Sequence, residues 1–166
     1  MSLSPVHALS AAQAHSHYLT RLFAADPALA ERIAVEAAEP FSLRHMQEGF
    51  ASLPADSEEA LKRNLRKLRQ RMMAHLITRD IGRLADLNEV VSTISQFAEF
   101  CVTTALAHVQ PLLAHFGQPI GEDSGQPQSL IVVGMGKLGG GELNVSSDID
   151  RSEERRVGKE CLRLCR

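Results

Sequence analysis

The sequence predicts an α+β protein in which a mostly helical N-terminal region leads into a first strand and a glycine-rich turn. Apolar residues recur at helical spacing through most of the first 116 residues, and the β-branched run at Ile131–Val133 follows them. Five glycines then fall between residues 134 and 141. We therefore divide the chain into a helical lead-in over 1–128, the start of a second domain over 129–150, and a tail over 151–166.

The first helices are predicted from their caps and breakers. Val6–Ala25 is rich in alanine and leucine and is expected to form one helix. Asp26-Pro27 is a helix start, and the helix should run to about residue 38 because Pro40 breaks it. A short helix is expected over Leu43–Ala51.

A long amphipathic helix is predicted after Asp56 or Ser57, either of which offers an N-cap. Glu58 and Glu59 would complement the helix dipole in its first turn. Its apolar stripe is formed by Leu61, Leu65, Leu68, Met72 and Leu76. Its opposite face is basic, with Lys62, Arg63, Arg66, Lys67, Arg69 and Arg71. We interpret this face as solvated; the alternative is that one or two arginines meet phosphates or the acidic motif.

A second long helix is predicted over Leu87–Phe116, where apolar residues occur nearly all round, as in a buried core helix. Gly82 is expected at the C′ position of the preceding helix. Arg79 and Asp80 are interpreted as a structural pair. Gly117–Gln128 is predicted to be an exposed linker.

The segment Leu130–Asp150, LIVVGMGKLGGGELNVSSDID, is the most informative part of the chain. Its β-branched start predicts a short buried strand. The glycines remove side chains where a backbone could approach a phosphate. Asp148 and Asp150 would project from one face of an extended strand and could share a hard cation such as Mg²⁺. Together these features are typical of nucleotidyl transfer.

Two other interpretations of the motif stay open. Gly134, Gly136 and Gly139 satisfy the G-x-G-x-x-G fingerprint of dinucleotide-binding proteins, which requires a helix after the turn and an acid about twenty residues on. Adjacent glycines weaken such a helix by roughly 1 kcal/mol each relative to alanine, and Glu153 and Glu154 lie in the tail. In the other interpretation the glycines only form a turn and the aspartates are solvated.

These residues resemble a known family. The string GMGKLGGGELNVSSDID is similar, almost without interruption, to the nucleotidyltransferase signature of bacterial glutamine synthetase adenylyltransferase/adenylyl-removing enzymes, which carry two catalytic halves. The wider polymerase-β-like superfamily shares only the glycine turn and the D-x-D pattern. The helical segment before the motif is also similar, so the resemblance covers residues 57–150.

The resemblance implies the start of a truncated polymerase-β-like nucleotidyltransferase domain over 129–150. It also implies an enzyme that adenylylates and deadenylylates a tyrosine of glutamine synthetase. The motif lies behind a helical lead-in, about 130 residues after Met1, where the family has its deadenylylating, phosphorolytic, ADP-releasing half. That half is our expectation. The alternatives are the half that transfers AMP from ATP, a non-catalytic regulatory helical domain, or another polymerase-β-like transferase such as a uridylyltransferase.

The resemblance also implies site residues, cofactors and partners. Asp148 and Asp150 would be the catalytic ligands of Mg²⁺, with ATP or ADP and inorganic phosphate as substrates or products. A third carboxylate is expected on a later strand, and because no credible residue after Asp150 supplies it, the chain alone is expected to be inactive. Glutamine synthetase and a nitrogen-signalling PII-type protein are the implied partners. The residues implied to hold phosphate are Gly134, Gly136, Lys137, Gly139, Gly140 and Ser147, of which Lys137 could equally be an exposed turn lysine.

The tail, RSEERRVGKECLRLCR, differs abruptly from what precedes it. It holds six basic and three acidic residues and two of the three cysteines, which leaves residues 1–150 with a net charge of −5. The resembled family continues here with a hydrophobic strand, whereas RSEERRVGKEC resembles the conceptual translation of a sequencing adapter. We therefore expect a non-native segment without a packed face.

Composition limits the remaining function classes. A net negative charge over residues 1–150 argues against non-specific nucleic-acid binding. The chain has no run of about eighteen apolar residues, so no membrane span is expected, and its N-terminus lacks signal-peptide features. Cys101 lies in an apolar helical pattern and is interpreted as a small hydrophobe rather than a nucleophile. A cytoplasmic location is expected.

Overall fold

The computed structural model describes residues 4–53 and 57–149 and the backbone of residues 151–154. The described residues are mostly helical and end in two short strands, as the sequence predicts in outline. The helices are α1 Pro5–His15, α2 His17–Ala25, α3 Pro27–Glu36, α4 Leu43–Ala51, α5 Glu58–Ile81, α6 Leu87–Val109 and the single turn α7 Gly136–Gly139. A 3₁₀ segment covers Gln110–Phe116, and the strands are β1 Ile131–Gly134 and β2 Arg151–Glu154.

The predicted helix over Val6–Ala25 is wrong in one respect, because it is broken at Ser16. Ser16 has an extended backbone, and its hydroxyl accepts the N–H of Leu19 at 3.3 Å, which caps α2. A serine side chain competes for backbone groups in this way, and alanine-rich flanks do not prevent it. The start of α3 at Pro27 and the bounds of α4 agree with the sequence.

Helix α5 forms the centre of the bundle. Ser57 caps it by accepting the N–H of Ala60, as predicted. One side of α5 packs with α1–α3 and the other with α4 and α6. On the basic face Arg63, Arg66, Lys67 and Arg69 are exposed, as expected, whereas Arg71 is half-buried and its Nη2 donates to Glu36 Oε1 of α3 at 2.8 Å. The first cluster contains Ala12, Leu19, Phe23, Leu29, Ile33, Ala37 and Ala74; the second contains Phe41, Met46, Leu68, Met72, Met73, Leu76, Val90 and Phe97.

The end of α5 differs from the prediction. Gly82 is right-handed, and Arg83 takes the left-handed position with a φ of 55°. The N–H of Leu84 donates to the carbonyl of Arg79 at 2.7 Å, as in a Schellman ending. Glycine is required at 82 for space, because a Cβ there would lie 2.4 Å from the Cβ of Ala8. The glycine therefore allows α1 to approach α5.

The partner of Arg79 is also not the predicted one. Arg79 is only 5% exposed, and its guanidinium binds both carboxylate oxygens of Glu89, at 2.5 and 2.9 Å. It also donates to the carbonyls of Ala37 and Leu84 at 2.8 and 3.0 Å, whereas Asp80 is exposed. One side chain thus joins the end of α3, α5, the α5–α6 loop and α6.

Helix α6 is shorter and less buried than predicted. It ends at Val109, just before Pro111, which cannot supply the N–H that would continue the helix. Its first half is buried around Val90 and Phe97, but Val109 and Leu112 are 42% and 58% exposed. The expectation of a fully buried core helix therefore holds only for the first half.

By length and composition alone, the helical stretch Leu87–Leu112 could cross a membrane, and 28% of its most apolar window is buried in the described residues. The sequence has no uninterrupted apolar run and predicts no such segment. A helix packed in the core of a globular protein can have the same length and composition, and α6 packs against α4 and α5. The finding is therefore weak evidence for a span.

The strand β1 is placed as predicted, but it is not buried. Ile131 and Val133 are 60% and 43% exposed, because in the described residues β1 pairs only with β2. The pairing is antiparallel, with Gly134 opposite Arg151 and Ile131 opposite Glu154. The first four residues of the expected non-native tail thus have a paired backbone. Residues 155–166 lie outside the described residues, and the origin of the tail stays a prediction.

Candidate functional site

The glycine-rich motif begins where β1 ends. Gly136 has a φ of 53°, a left-handed conformation that glycine adopts without steric cost, and it turns the chain into the single helical turn α7. Residues 140–149 of the described chain contain no helix. A dinucleotide-binding fold would need a long helix in this position, so the geometry disfavours that interpretation.

Two of the predicted phosphate-binding glycines are needed for the packing of the turn itself. A Cβ on Gly139 would lie 2.6 Å from the carbonyl oxygen of Gly134, and a Cβ on Gly134 would lie 3.0 Å from Leu138 Cγ. Gly140 differs, because its nearest neighbour would be 3.7 Å away, an ordinary contact distance. Gly134 and Gly139 therefore let the turn fold tightly against the end of β1.

The backbone donors of the turn are divided into two groups. The N–H groups of Gly139 and Gly140 donate to the carbonyls of Met135 and Gly136, at 3.2 and 3.1 Å. The first N–H groups of a helical turn have no partner within that turn, and in α7 they belong to Gly136, Lys137 and Leu138. Leu138 is buried, whereas Gly136 and Lys137 are exposed, so a phosphate would approach the N–H groups of these two residues.

The motif is attached to the helical body by contacts that the sequence does not predict. Leu138 and Leu143 are 7% and 2% exposed and pack on Ala98 of α6, with Ile94 beside them. The N–H of Leu143 donates to Ser95 Oγ at 3.1 Å. The sequence offers one signal for this attachment: Leu138 and Leu143 are large apolar residues within a polar, glycine-rich segment, and a fully solvated turn would not need them.

Ser147 belongs to a turn that begins at Asn144. Its N–H donates to the carbonyl of Asn144 at 3.1 Å, and its hydroxyl donates to Asn144 Oδ1 at 2.7 Å. Ser146 is exposed and lies at the limit of hydrogen bonding to the same oxygen, 3.5 Å. The hydroxyl of Ser147 thus stabilises the turn that precedes Asp148. To donate to a phosphate, it would have to give up its hydrogen bond to Asn144 Oδ1.

The acidic pair is described only in part. Asp148 is exposed and lies in a segment that is not assigned to a strand, and Asp150 lies outside the described residues. The extended geometry expected for Asp148–Asp150 is therefore untested. Among the described residues, no group of three or more His, Cys, Asp or Glu side chains could hold a metal ion. Asp148 could supply one ligand to a cation that prefers oxygen ligands, and the other ligands would then come from outside the described residues or from a bound substrate.

Cys101, the cysteine outside the tail, is not placed for nucleophilic chemistry. It is half-buried on α6, and burial raises the pKa of its thiol to about 11. The thiol therefore stays protonated near neutral pH, and a protonated thiol is a poor nucleophile. This agrees with its interpretation as a small hydrophobe.

Comparison with known proteins identifies relatives over most of the chain. A sequence model of the family described as "Glutamate-ammonia ligase adenylyltransferase" matches residues 6–152. A protein of Chromobacterium violaceum is 60% identical over 136 residues, which is 81% of this chain and 15% of the relative. Proteins of Ralstonia nicotianae and Nitrosomonas europaea are 48% and 42% identical, each over 82% of this chain and 15% of the relative.

All three relatives are named "Bifunctional glutamine synthetase adenylyltransferase/adenylyl-removing enzyme". The chain spans about 15% of the length of these curated relatives. The matched region of the family contains both the helical body and the glycine-rich motif.

Proposed function

Because the chain belongs to the glutamate–ammonia ligase adenylyltransferase family, we propose that it is part of a bifunctional enzyme that adenylylates and deadenylylates glutamine synthetase. The observation that carries this proposal is the motif itself. A tight glycine turn follows β1, is fixed to α6, and is followed by Asp148. In the full enzyme this arrangement would start a polymerase-β-like nucleotidyltransferase domain of cytoplasmic location.

We assign the motif to the deadenylylating half. The support is the sequence ELNVSSDID, which follows a helical lead-in. This sequence resembles the deadenylylating half of the family more than the adenylylating half. In the reaction an oxygen of inorganic phosphate attacks the phosphorus of adenylyl-tyrosine. The new P–O bond gives ADP, the bond to the tyrosine oxygen breaks, and that oxygen takes up a proton.

The residues of this chain would serve that reaction in two ways. Gly136 and Lys137 present the first backbone donors of the turn to phosphate, while Gly134 and Gly139 permit its tight shape. Asp148 and Asp150 would hold Mg²⁺, which when bound neutralises charge on the phosphate oxygens. A third carboxylate would come from sequence beyond this chain, so the chain alone is proposed to be inactive.

The test uses a full-length enzyme that carries residues 1–150 of this chain, given adenylylated glutamine synthetase, Mg²⁺ and phosphate. We expect ADP release, and Asp148→Asn should lower its rate by about a hundredfold or more, as loss of a main electrostatic stabiliser does. Asp123→Asn is the matched control, because Asp123 is an exposed carboxylate in the linker outside the motif.

Two outcomes would replace this assignment. If Asp148→Asn abolishes ATP-dependent labelling of glutamine synthetase and spares ADP release, the motif belongs to the adenylylating half. If neither rate changes, the motif is not catalytic and a helical regulatory module is the better description. A PII-type regulator as a further partner is proposed from the family resemblance alone.

A further inference from the structure

The glycine-rich motif is tied to α6 by one polar contact among apolar ones. Ser95 is 3% exposed, and its hydroxyl donates to the carbonyl of Val91 at 2.8 Å while accepting the N–H of Leu143 at 3.1 Å. This hydroxyl therefore links α6 to the backbone of Leu143, which lies 48 residues beyond Ser95 in the sequence.

The position of Leu143 gives this contact its importance. Leu143 is 2% exposed and lies between the last glycine of the turn and the turn Asn144–Ser147 that leads to Asp148. Residues on both sides of it are exposed. A shift at Leu143 would therefore move the phosphate turn and the acidic segment relative to each other.

We propose that Ser95 is a positioning residue of the candidate nucleotide site. It acts through Leu143 and sets where the chain leaves the glycine turn on its way to the carboxylates. The proposal rests on the proposed function for what the site binds, but the contact itself can be tested without any nucleotide. Ser95 was not singled out by the sequence, since a serine in an apolar helix has no local signature.

The contact has a suitable control on the same helix. Ser92 Oγ also donates to a carbonyl one turn back, that of Glu89, at 3.2 Å, and Ser92 is half-buried. In the described residues this hydrogen bond stays within α6. Ser95→Ala and Ser92→Ala therefore remove the same kind of helical hydroxyl, and only the first removes a link to the motif.

The experiment is amide hydrogen exchange by NMR on the 166-residue chain, with the rate at Leu143 expressed relative to Leu76 in the core of α5. In Ser95→Ala we expect this ratio to rise about tenfold or more, because a buried N–H has lost its acceptor. The Leu143 amide proton should also shift upfield. In Ser92→Ala the ratio should stay within about twofold of wild type.

A conservative variant separates the hydroxyl from general packing. Ser95→Thr keeps a hydroxyl that can bond one turn back in a helix, so it should restore the wild-type ratio. An unchanged ratio in Ser95→Ala, an equal rise at Leu76 and Leu143, or a threonine variant that behaves like alanine would each overturn the proposal.

The consequence for function is measured separately in the full-length enzyme that carries residues 1–150. Ser95→Ala should lower the rate of ADP release by about tenfold, as small misplacements of reacting groups do, and Ser92→Ala should not. If the exchange result holds but the wild-type enzyme releases no ADP, the proposed function fails and the positioning contact stands. If ADP is released but the exchange ratio does not change, the positioning contact fails alone.

Discussion

The helical body and the glycine-rich motif are held by different means. In the body, α5 is packed on two sides, and buried groups such as Arg79 bind several elements at once. Among the described residues, the motif has two buried leucines, one hydroxyl contact to α6 and a strand, β1, in which Ile131 and Val133 are exposed. We therefore expect the helical body to contribute most of the free energy of unfolding, whereas the motif is a surface loop held by few contacts.

This difference is what the proposed function of the motif requires. Binding and catalytic segments come from the less stable part of a protein, because they must admit ligands and adjust to them. The glycines, which we propose to lie against phosphate, lack the side chains that would otherwise anchor the loop. Leu138, Leu143 and Ser95 compensate by fixing it at its middle and its end.

The largest effect on stability should come from Arg79. Arg79→Met leaves the carboxylate of Glu89 and the carbonyls of Ala37 and Leu84 without their buried donor. Breaking a buried ion pair on one side costs about 3–5 kcal/mol, and urea unfolding followed by circular dichroism measures it. The control is Arg44→Met, which removes an exposed pair with Glu48 and should leave the unfolding midpoint unchanged. Equal losses in both variants would contradict the central role of Arg79.

The next effect is a pH dependence that belongs to the body. His75 is fully buried; Nε2 donates to the carbonyl of Glu39 at 2.8 Å, and Nδ1 is buried without a partner among the described residues. Burial lowers its pKa from 6.5 to about 4, an effect that the nearby Arg79, His45 and Arg71 increase and the bond to Glu39 opposes.

The pKa of His75 is 6.5 in the unfolded chain and about 4 in the folded chain, and this difference makes stability fall as the pH falls. Above pH 6.5 the imidazole is neutral in both the folded and the unfolded chain, and its contribution to stability is complete. As the pH falls from 6.5 towards 4, His75 binds a proton in the unfolded chain but stays neutral in the folded chain. The free energy of unfolding therefore decreases, in total by about 3 kcal/mol.

The pH dependence is measured by urea unfolding at several pH values. His75→Leu should flatten the loss of stability over this range, whereas His15→Leu, at an exposed position, should not. Parallel pH curves for wild type and His75→Leu would show that His75 does not carry the effect.

Sequence reasoning succeeded where structure is determined locally. The caps at Ser57 and Asp26, the proline at 27 and the apolar stripe of α5 act within a few residues, and each predicted element there is present. The break at Ser16 is also local, but it depends on whether a serine caps or continues a helix, which its neighbours do not decide.

The errors and omissions concern contacts between distant segments. Arg79 was assigned to Asp80 next to it, whereas its partner lies ten residues on, across a turn. Gly82 was expected to supply backbone freedom, whereas it supplies space for α1. For the motif, the glycine spacing predicts a turn, but it does not predict the contact with Ser95, because only the folded chain brings Ser95 to Leu143.

The smallest effect on global stability should come from a substitution in the motif. Comparing it with an equivalent substitution in the helical body tests directly whether the two regions unfold separately. Leu143 and Leu76 are both leucines with at most 2% exposure. Leu76 lies in the core of the body, so Leu76→Ala should lower the free energy of global unfolding by about 2–5 kcal/mol.

Leu143→Ala removes a side chain of the same size, but the segment that contains it should open before the body unfolds. We therefore expect the urea transition, followed by the helical signal, to change by less than about 0.5 kcal/mol. Faster amide exchange should appear in residues 138–143 and not in α5. If Leu143→Ala lowers global stability as much as Leu76→Ala, the motif and the body form one cooperative unit, and the motif is not the lightly attached loop that its few contacts indicate.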